Sequence, residues 1–308
     1  MVPIKTVAVA GASGTIGQPI IHTLLLSKLF DEVRILTRTG AGKDGFPPEA
    51  SVREVDYASP ASLEAALRGV DCVVSAMSFD AIAAQQNLVD AAAAAGVSRM
   101  IPSEYGNDTM NPKLATMPIY QPKISIRERC QRKVVETEGR FSWTVVMNAS
   151  FLAPDWTLDF LVDMMKLECD IKDGGDVLFC ATTYDDVARA ILGIILHPEE
   201  TANRPVKISS IDTTQNEILK MAQEICPNDW KITYSSTEDL EKQGRERWAK
   251  GDHSFEVQSM LINRAFLGKG WGGYFPEKDN NLLGIQGISK EELGQIIKTA
   301  LGRRGQTA

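Results

Sequence analysis

Three glycines near the start of the chain, Gly11, Gly14 and Gly17, have the spacing of a turn that cradles a phosphate. They follow the apolar run 7–10, which is typical of a buried parallel strand, and precede an apolar-periodic stretch, 20–29, that predicts a helix. Gly11 would allow the tight turn, Gly14 the close approach of a ligand, and Gly17 close packing of the helix on the strand. The new helix would offer free N–H groups to a pyrophosphate.

This turn predicts a dinucleotide site, because the glycines stand between a strand and a helix as the motif requires. The alternative is an ordinary turn that happens to contain three glycines. Ser13, Thr15 and Ile16 lie between the glycines and are predicted to contact the cofactor with them.

The end of the second predicted strand bears on the choice between NAD(H) and NADP(H). Residues 33–36 are apolar or strand-like and lead into Thr37, Arg38 and Thr39, with Lys43 a few residues later. An NAD-specific site would usually carry Asp or Glu here to bind the ribose, whereas Arg38, helped by Lys43, would pair with a 2′-phosphate. The prediction is therefore NADP(H), and the alternative is a solvated surface arginine.

A proton donor is harder to find from spacing alone. Reduction by a nicotinamide needs a held hydride donor, an oriented acceptor and a group that supplies a proton. Ordinary short-chain dehydrogenases use Tyr-x-x-x-Lys, and the nearest pair here, Tyr120 and Lys123, is one residue too short. By spacing alone, Lys123 is more simply a solvated lysine of a charged helix.

Strand–helix alternation over the first half of the chain predicts a doubly wound α/β fold with a parallel, Rossmann-like sheet. Strands are predicted at 7–10, 33–36, 51–55, 72–76, 99–102 and 142–147, with helices between most of them. Ligands of such sheets bind at the carboxyl ends of the strands. Ser75 and Met77, at and after the fourth strand, and Asn148, after the sixth, are therefore predicted to contact the cofactor.

The pattern loosens after about residue 150, which suggests an NADP-binding domain at 1–150 and, at 151–308, mostly a smaller substrate-binding lobe with some segments returning to the sheet. The stretch 153–167 is rich in aromatic residues and methionine, so it is either a packed amphipathic helix or the wall of a substrate pocket. Phe151 and Trp156 are assigned to that pocket. Helices are predicted at 183–196, 215–225, 238–250, 255–267 and 289–301, the last with a capping box.

Bulk composition excludes several functional classes. The 308 residues are 44% hydrophobic and carry a net charge of −7, which disfavours nucleic-acid binding through phosphates. No apolar run approaches the length of about 18 residues that a membrane span needs. The five dispersed cysteines and three histidines show no metal-ligand spacing and no disulfide framework. With no leader pattern before the first strand, a cytoplasmic monomer or homodimer acting on a small molecule is expected.

The glycine spacing, Arg38, the segment Pro-Ser-Glu-Tyr-Gly-Asn-Asp at 102–108 and the lysine at the head of the next helix together resemble one family. This is the isoflavone reductase-like, or NmrA-like, branch of the atypical short-chain dehydrogenases/reductases. The branch includes phenylcoumaran benzylic ether reductases and pinoresinol-lariciresinol reductases of plants, and many fungal members. The resemblance covers residues 5–155 well and the remainder in outline.

The resemblance implies roles for three further residues. The family's aromatic-x-x-Lys-x-x-[IV]-Arg stretch matches 120–127, which implies that Lys123 binds the nicotinamide ribose and acts as a general acid. Gln86 matches a glutamine near the nicotinamide, or is a surface amide. Tyr105 is either a hydroxyl facing the substrate or a core residue. The departures from the plant enzymes are a longer stretch between Lys123 and Gly139, Pro122 directly before the lysine, and Ser150 in place of an asparagine.

The implied function is an NADPH-dependent reductase of a small aromatic or unsaturated secondary metabolite, with Lys123 assisting hydride transfer. Two alternatives stay open. The chain would instead be a non-catalytic regulator that senses a dinucleotide, or an isomerase or lyase that uses the same fold for a redox-neutral step.

Overall fold

The computed structural model of the protein describes residues 3–41 and 45–305. Its strands are β1 (Thr6–Ala10), β2 (Glu32–Arg38), β3 (Ser51–Val55), β4 (Cys72–Ser75), β5 (Arg99–Ile101), β6 (Ser142–Met147), β7 (Ser150–Phe151), β8 (Glu168–Lys172), β9 (Phe179–Thr182), β10 (Arg204–Lys207), β11 (Ile211–Thr213) and β12 (Lys231–Ser235). Its α-helices are α1 (Gly17–Ser27), α2 (Pro60–Leu67), α3 (Gln85–Ala94), α4 (Gln121–Glu136), α5 (Trp156–Asp159), α6 (Tyr184–Leu196), α7 (Gln215–Ile225), α8 (Thr237–Ala249), α9 (Phe255–Leu267) and α10 (Lys290–Gly302).

The described residues form a central parallel sheet in the order β3–β2–β1–β4–β5–β6–β10. The chain builds outward from β1 first through β2 and β3, and then in the other direction through β4. The order therefore reverses between β1 and β4, which is where ligands bind in open sheets of this kind. This arrangement confirms the predicted doubly wound α/β fold.

Both faces of the central sheet are buried. In β1, Val7 and Val9 pack into one apolar cluster with residues of α1 and α6, whereas Ala8 and Ala10 pack into another with residues of α2, α3 and α4. Side chains alternate between the faces of a strand, so a strand covered on both sides must be apolar throughout. This double burial is why the strands could be recognised as continuous apolar runs.

Helix ends follow local capping chemistry. The Ser59 side chain accepts a hydrogen bond from the Ser62 N–H at the start of α2, where Pro60 occupies the first turn. Ser289 and Glu292 form the predicted capping box of α10. Such caps satisfy N–H groups that have no partner inside the helix, so they fix where a helix begins.

The stretch 153–167 does not form the long helix that was one interpretation of its sequence. Helix α5 ends at Asp159, whose side chain accepts a hydrogen bond from the Met164 N–H. The Asp163 side chain accepts from the N–H groups of Met165 and Lys166. These side-chain bonds replace those of a helix, and Leu167 then adopts a φ of 55° before β8 begins.

Two small sheets follow the first 150 residues. Strand β9 pairs with β7 and β11, and β8 pairs with β12. A third apolar cluster joins β8 and β9 to α7 and α10. Segments α6 and β10 return to the central sheet. The division into domains at residue 150 stays a prediction. Within the described ranges, no helix is both long enough and apolar enough to cross a bilayer.

Candidate active site

The glycine turn connects β1 to α1 with almost no free space. Gly11 has a φ of 79°, and a Cβ atom there would lie closer than 3.0 Å to the carbonyl oxygen of Ala76. A Cβ atom on Gly17 would come equally close to the carbonyl oxygen of Gly11. Only glycine therefore lets the turn approach the end of β4 and lets α1 start beside the turn. Gly14 donates its N–H to the Gly11 oxygen at 3.1 Å.

Within the described residues, the start of α1 has neither a side-chain cap nor an acidic residue in its own first turn. Ile16 occupies the N-cap position without a side-chain hydrogen bond, and the first turn of the described helix contains no acidic residue. Uncapped N–H groups and the positive end of the helix dipole favour an anion. The arrangement suits a pyrophosphate.

A cavity of about 520 Å³ opens at this turn, at the reversal of strand order. Its walls include predicted cofactor contacts, namely Gly11, Ser13, Gly14, Thr15, Ile16, Arg38 and Met77, and also Tyr57, Phe151 and Tyr184. The residues present fit a dinucleotide, because a glycine cradle, an uncapped helix and a cation line one continuous space.

Arg38 is exposed at the carboxyl end of β2 and lines this cavity. No acidic side chain forms an ion pair with it in the described ranges, so its guanidinium is available to a phosphate. Lys43, predicted to assist it, lies outside the described residues. Tyr57 closes the same end of the cavity, with its hydroxyl donated to the Leu36 oxygen at 3.2 Å.

The two residues predicted at the end of β4 have different places. Met77 lines the cavity, and its carbonyl oxygen accepts the Ser103 hydroxyl at 2.8 Å. Ser75 is fully buried and is not part of the cavity wall. Its carbonyl oxygen instead accepts the Tyr105 hydroxyl at 3.1 Å. The Ser75 hydroxyl is itself buried and has no hydrogen-bond partner among the described residues, so its contact with the cofactor stays a prediction.

The hydrogen bond from Tyr105 to Ser75 also bears on the predicted role of Tyr105. Its side chain is 5% exposed and packs in the core with residues of β1, β4 and α1. This burial and the bond to Ser75 favour the alternative in which Tyr105 is a core residue. Burial raises the pKa of Tyr105 well above its usual range.

Asn148 also lies away from the cavity. It is fully buried after β6, and its side-chain oxygen accepts the Gly106 N–H at 2.9 Å. Its carbonyl oxygen accepts the Thr182 hydroxyl at 2.7 Å. Asn148 therefore ties the loop after β5 to β9, and its contact with the cofactor stays a prediction.

The predicted glutamine, Gln86, and its neighbour Gln85 differ in burial. Gln86 is half-buried on α3 and does not line the 520 Å³ cavity, so its contact with the cofactor stays a prediction. Gln85 is fully buried, and its side-chain oxygen accepts the Ser103 N–H at 2.8 Å. Its side-chain nitrogen has no partner among the described residues. The sequence does not distinguish two adjacent glutamines. Their positions around the helix axis decide which of them is buried.

Lys123 lies in the first turn of α4, facing the loop after β5. Its ammonium group donates to the carbonyl oxygens of Glu104, at 3.3 Å, and of Tyr105. It does not itself line the cavity, but Ser103, next to Glu104, is bonded to the cavity residue Met77. Burial lowers the pKa of Lys123 to about 8, and the Glu104 carboxylate opposes part of that change.

Beneath Lys123 is a buried polar cluster that sequence reasoning missed. The Glu104 side chain pairs with Arg127 and accepts the hydroxyl of Thr109. Arg127 also donates to the Thr109 oxygen. Burial raises the pKa of the Glu104 carboxyl, while Arg127, Thr109 and Lys123 oppose the rise. Arg127 follows Lys123 by four residues, a spacing that could have signalled one helix face.

Two aromatic rings bound the cavity beyond the glycine turn. The rings of Phe151 and Tyr184 lie 5.4 Å apart between centroids and are tilted by 47°. Tyr184 donates its hydroxyl to Asp155 at 3.0 Å. Phe151 thus lines the cavity at the glycine turn, and its place in a substrate pocket stays a prediction. Trp156 belongs to α5, but its side chain lies outside the described part of the structure.

Comparisons with known proteins agree on the fold. A model of the NmrA-like family matches residues 3–242. Oxidoreductase aprR of Aspergillus flavus is 30% identical over 300 residues, which span 96% of this chain and 98% of that protein. Leucoanthocyanidin reductase from Vitis vinifera with NADPH superposes with a TM-score of 0.75 at 19% identity, covering 95% of this chain and 99% of that one. AtPrR2 with NADP⁺ and (+)-pinoresinol superposes with a TM-score of 0.69 at 22% identity, covering 96% and 98%.

Proposed function

This chain belongs to the NmrA-like family, and from that premise we propose that it is an NADPH-dependent reductase of a small aromatic or otherwise unsaturated metabolite. The observation that carries the proposal is the cavity at the glycine turn, with Arg38 at one end and two aromatic rings in its wall. The oxidoreductase name of the Aspergillus flavus relative supports the same reaction class.

Different residues of the chain would bind different parts of the cofactor. The uncapped start of α1 and the glycine turn would hold the pyrophosphate, and Arg38 would pair with the 2′-phosphate. A reduced nicotinamide, when bound, supplies a hydride to an electron-poor carbon. Gln85 and Met77 would fix the Ser103 segment beside it.

Lys123 is the residue we assign as general acid. With a pKa of about 8, its ammonium group is charged at neutral pH and still able to release a proton. Its two carbonyl partners orient the group without neutralising it. The proton would go to the substrate atom on which negative charge develops, directly or through one water molecule.

We base the proposed substrate class on the residues in the cavity wall and on one structural neighbour. Phe151 and Tyr184 offer rings on which a planar substrate would pack. The structural neighbour AtPrR2 was solved with (+)-pinoresinol. We extend this pocket to Trp156, and we assign residues 151–308 mostly to substrate binding.

The test is an NADPH-oxidation screen with aromatic enones, lignan-like ethers and quinones, run on the wild type, Lys123→Ala and Lys133→Ala. Lys133 lies on the same helix and pairs with Asp90 and Glu136, so it is a matched control. We expect Lys123→Ala to lower turnover by about a hundredfold or more while NADPH still binds. Lys133→Ala should match the wild type.

Two outcomes would overturn the proposal. Tight NADPH binding with no turnover on any substrate would favour a dinucleotide-sensing regulator. Conversion of a substrate with no net consumption of NADPH would favour an isomerase or a lyase.

A further inference from the structure

Lys123 and Arg127 lie one helical turn apart on the same face of α4, and both face Glu104. Glu104 is a single buried acid opposite these two cations, with its side chain 1% exposed. The two cations do not share it equally. Arg127 forms the contact ion pair, whereas Lys123 binds only the backbone oxygens of Glu104 and Tyr105.

The Glu104 carboxylate is held in this orientation from two sides. One of its oxygens, Oε1, accepts from both Arg127 and the Thr109 hydroxyl. Arg127 in turn donates to Thr109, which closes a three-membered ring of hydrogen bonds. The other oxygen, Oε2, is buried and has no partner among the described residues. It is therefore left unused while Lys123 bonds to carbonyl groups nearby.

Other ionisable groups near Lys123 are committed elsewhere. The Asp108 carboxylate pairs with Lys207, and the Tyr120 hydroxyl accepts from Asn107 at 3.1 Å. The carboxylate of Asp90, on the neighbouring helix α3, pairs with Arg129 and Lys133 on another part of α4. On the same elements, the Tyr105 hydroxyl is bonded to Ser75, and Cys130 has a buried thiol. Glu104 is thus the acid whose placement decides the charge balance at Lys123.

We propose that Arg127 is a positioning residue that captures the Glu104 carboxylate and so withholds a counter-ion from Lys123, leaving the lysine free to give up its proton. The proposal rests on the proposed function, in which Lys123 is the general acid. Its physical basis is that burial removes water from the ammonium group and so destabilises its charged form. Without a contact ion pair, little compensates for that loss. The lowered pKa of Lys123 has the expected direction.

The substitution that tests this inference is Arg127→Met, which removes the guanidinium and keeps an apolar stem. Glu104 would then turn to Lys123, and the lysine should hold its proton to higher pH, by at least about one pH unit. Glu104→Gln removes the anion and should move the titration in the opposite direction. Arg127→Lys keeps a cation for Glu104 and should titrate close to the wild type. Arg129→Met, on the same helix, is the matched control.

Lys123 can be titrated directly by NMR of the lysine side-chain amine in labelled protein, assigned by its loss in Lys123→Arg. This readout needs no turnover, so it separates failure of the inference from failure of the proposed reductase. A parallel shift in the basic limb of kcat/KM would connect the titration with catalysis.

Opposite shifts in Arg127→Met and Glu104→Gln are the expected result. An unchanged or lowered titration in Arg127→Met would overturn the inference. If Arg127→Met does not fold, an unchanged titration in Glu104→Gln overturns it instead. The titration of the wild type is also a test. If Lys123 has the pKa of an exposed lysine, near 10.4, then Arg127 has no effect on it and the inference is wrong.

Discussion

The side-chain oxygen of Gln85 accepts a 2.8 Å hydrogen bond from the backbone N–H of Ser103, and both residues are buried. This bond joins the start of α3 to the end of β5. The Ser103 hydroxyl in turn donates a hydrogen bond to the carbonyl oxygen of Met77, which lines the cavity. The Gln85 amide is thus connected to the cavity wall through Ser103.

Gln85→Leu should lower the free energy of unfolding by about 1–3 kcal/mol, because it leaves a buried N–H without an acceptor. NADPH affinity should fall as well, since the Ser103 segment loosens. Gln86→Leu is the control for stability alone, and it should change the free energy of unfolding little because Gln86 is only half-buried. Urea unfolding and NADPH titration measure the two effects. Equal effects of the two substitutions on stability would contradict the assignment to Gln85.

Gly17→Ala should be strongly destabilising. Its new methyl group would be forced against the Gly11 carbonyl oxygen, and the backbone there has little room to move. We expect a loss of about 3 kcal/mol in the free energy of unfolding.

Gly302→Ala serves as the comparison for Gly17→Ala, because a Cβ atom at Gly302, near the end of α10, meets nothing within 4 Å. Alanine there should be neutral or stabilising by up to about 1 kcal/mol. Similar losses at both positions in thermal or urea unfolding would mean that the turn is not as tight as described.

Arg38→Ala should weaken NADPH binding by about ten- to a hundredfold, because a charged hydrogen bond to the 2′-phosphate is lost. NADH binding should hardly change, since it carries no such phosphate. Arg53→Ala removes an exposed cation of β3 that does not line the cavity, and it controls for general electrostatics. Fluorescence titration with both cofactors measures the ratio. Equal losses for NADPH and NADH would place the phosphate elsewhere.

The pH dependence of stability should include a contribution from Glu32. Both of its oxygens accept from Arg34, at 2.9 and 2.7 Å, and Ser51 donates to one of them. Arg34 thereby lowers the pKa of Glu32 from 4.5 to about 2, although burial opposes the change. A lowered pKa means that the charged form is preferred in the folded state, so this stabilisation is complete above pH 4.5 and is lost as the pH falls toward 2.

Glu32→Gln should therefore cost about 1 kcal/mol at pH 7, after allowance for solvent screening, and progressively less below pH 4.5. Glu128→Gln alters an exposed residue of α4 and should stay within about 0.5 kcal/mol at every pH. Urea unfolding between pH 3 and pH 7 compares the two variants. A loss at Glu32 that is independent of pH would argue against the ion pair.

Local features of the sequence were sufficient for the central fold. The strands around β1 are buried on both faces, so their apolar runs stand out, and the caps at Ser59 and Ser289 mark helix starts by chemistry within one turn. The glycine turn could be predicted because the atoms that leave no room for a Cβ are close by. Gly17 faces the Gly11 carbonyl oxygen in the same turn, and Gly11 faces Ala76 at the end of the adjacent strand β4.

The direction of side chains at strand ends could not be predicted in the same way. Ser75, Tyr105 and Asn148 all follow or end strands near the ligand edge, and all three are buried. The Tyr105 hydroxyl donates to the Ser75 carbonyl oxygen, and the Asn148 side chain accepts from the Gly106 N–H. Those bonds join residues 30 or more positions apart, which no local pattern encodes. The turns after Asp159 depended on side-chain acceptors competing with a helix.

The most direct test of the reductase proposal is transfer of deuterium from NADPH carrying deuterium at both positions of the nicotinamide C4 to a substrate identified in the screen, followed by mass spectrometry of the product. Wild type and Lys133→Ala should give a product heavier by one deuterium per turnover, and Lys123→Ala should give the same product about a hundredfold more slowly or worse. A product without deuterium, formed equally fast by Lys123→Ala, would contradict both the hydride transfer and the role of Lys123.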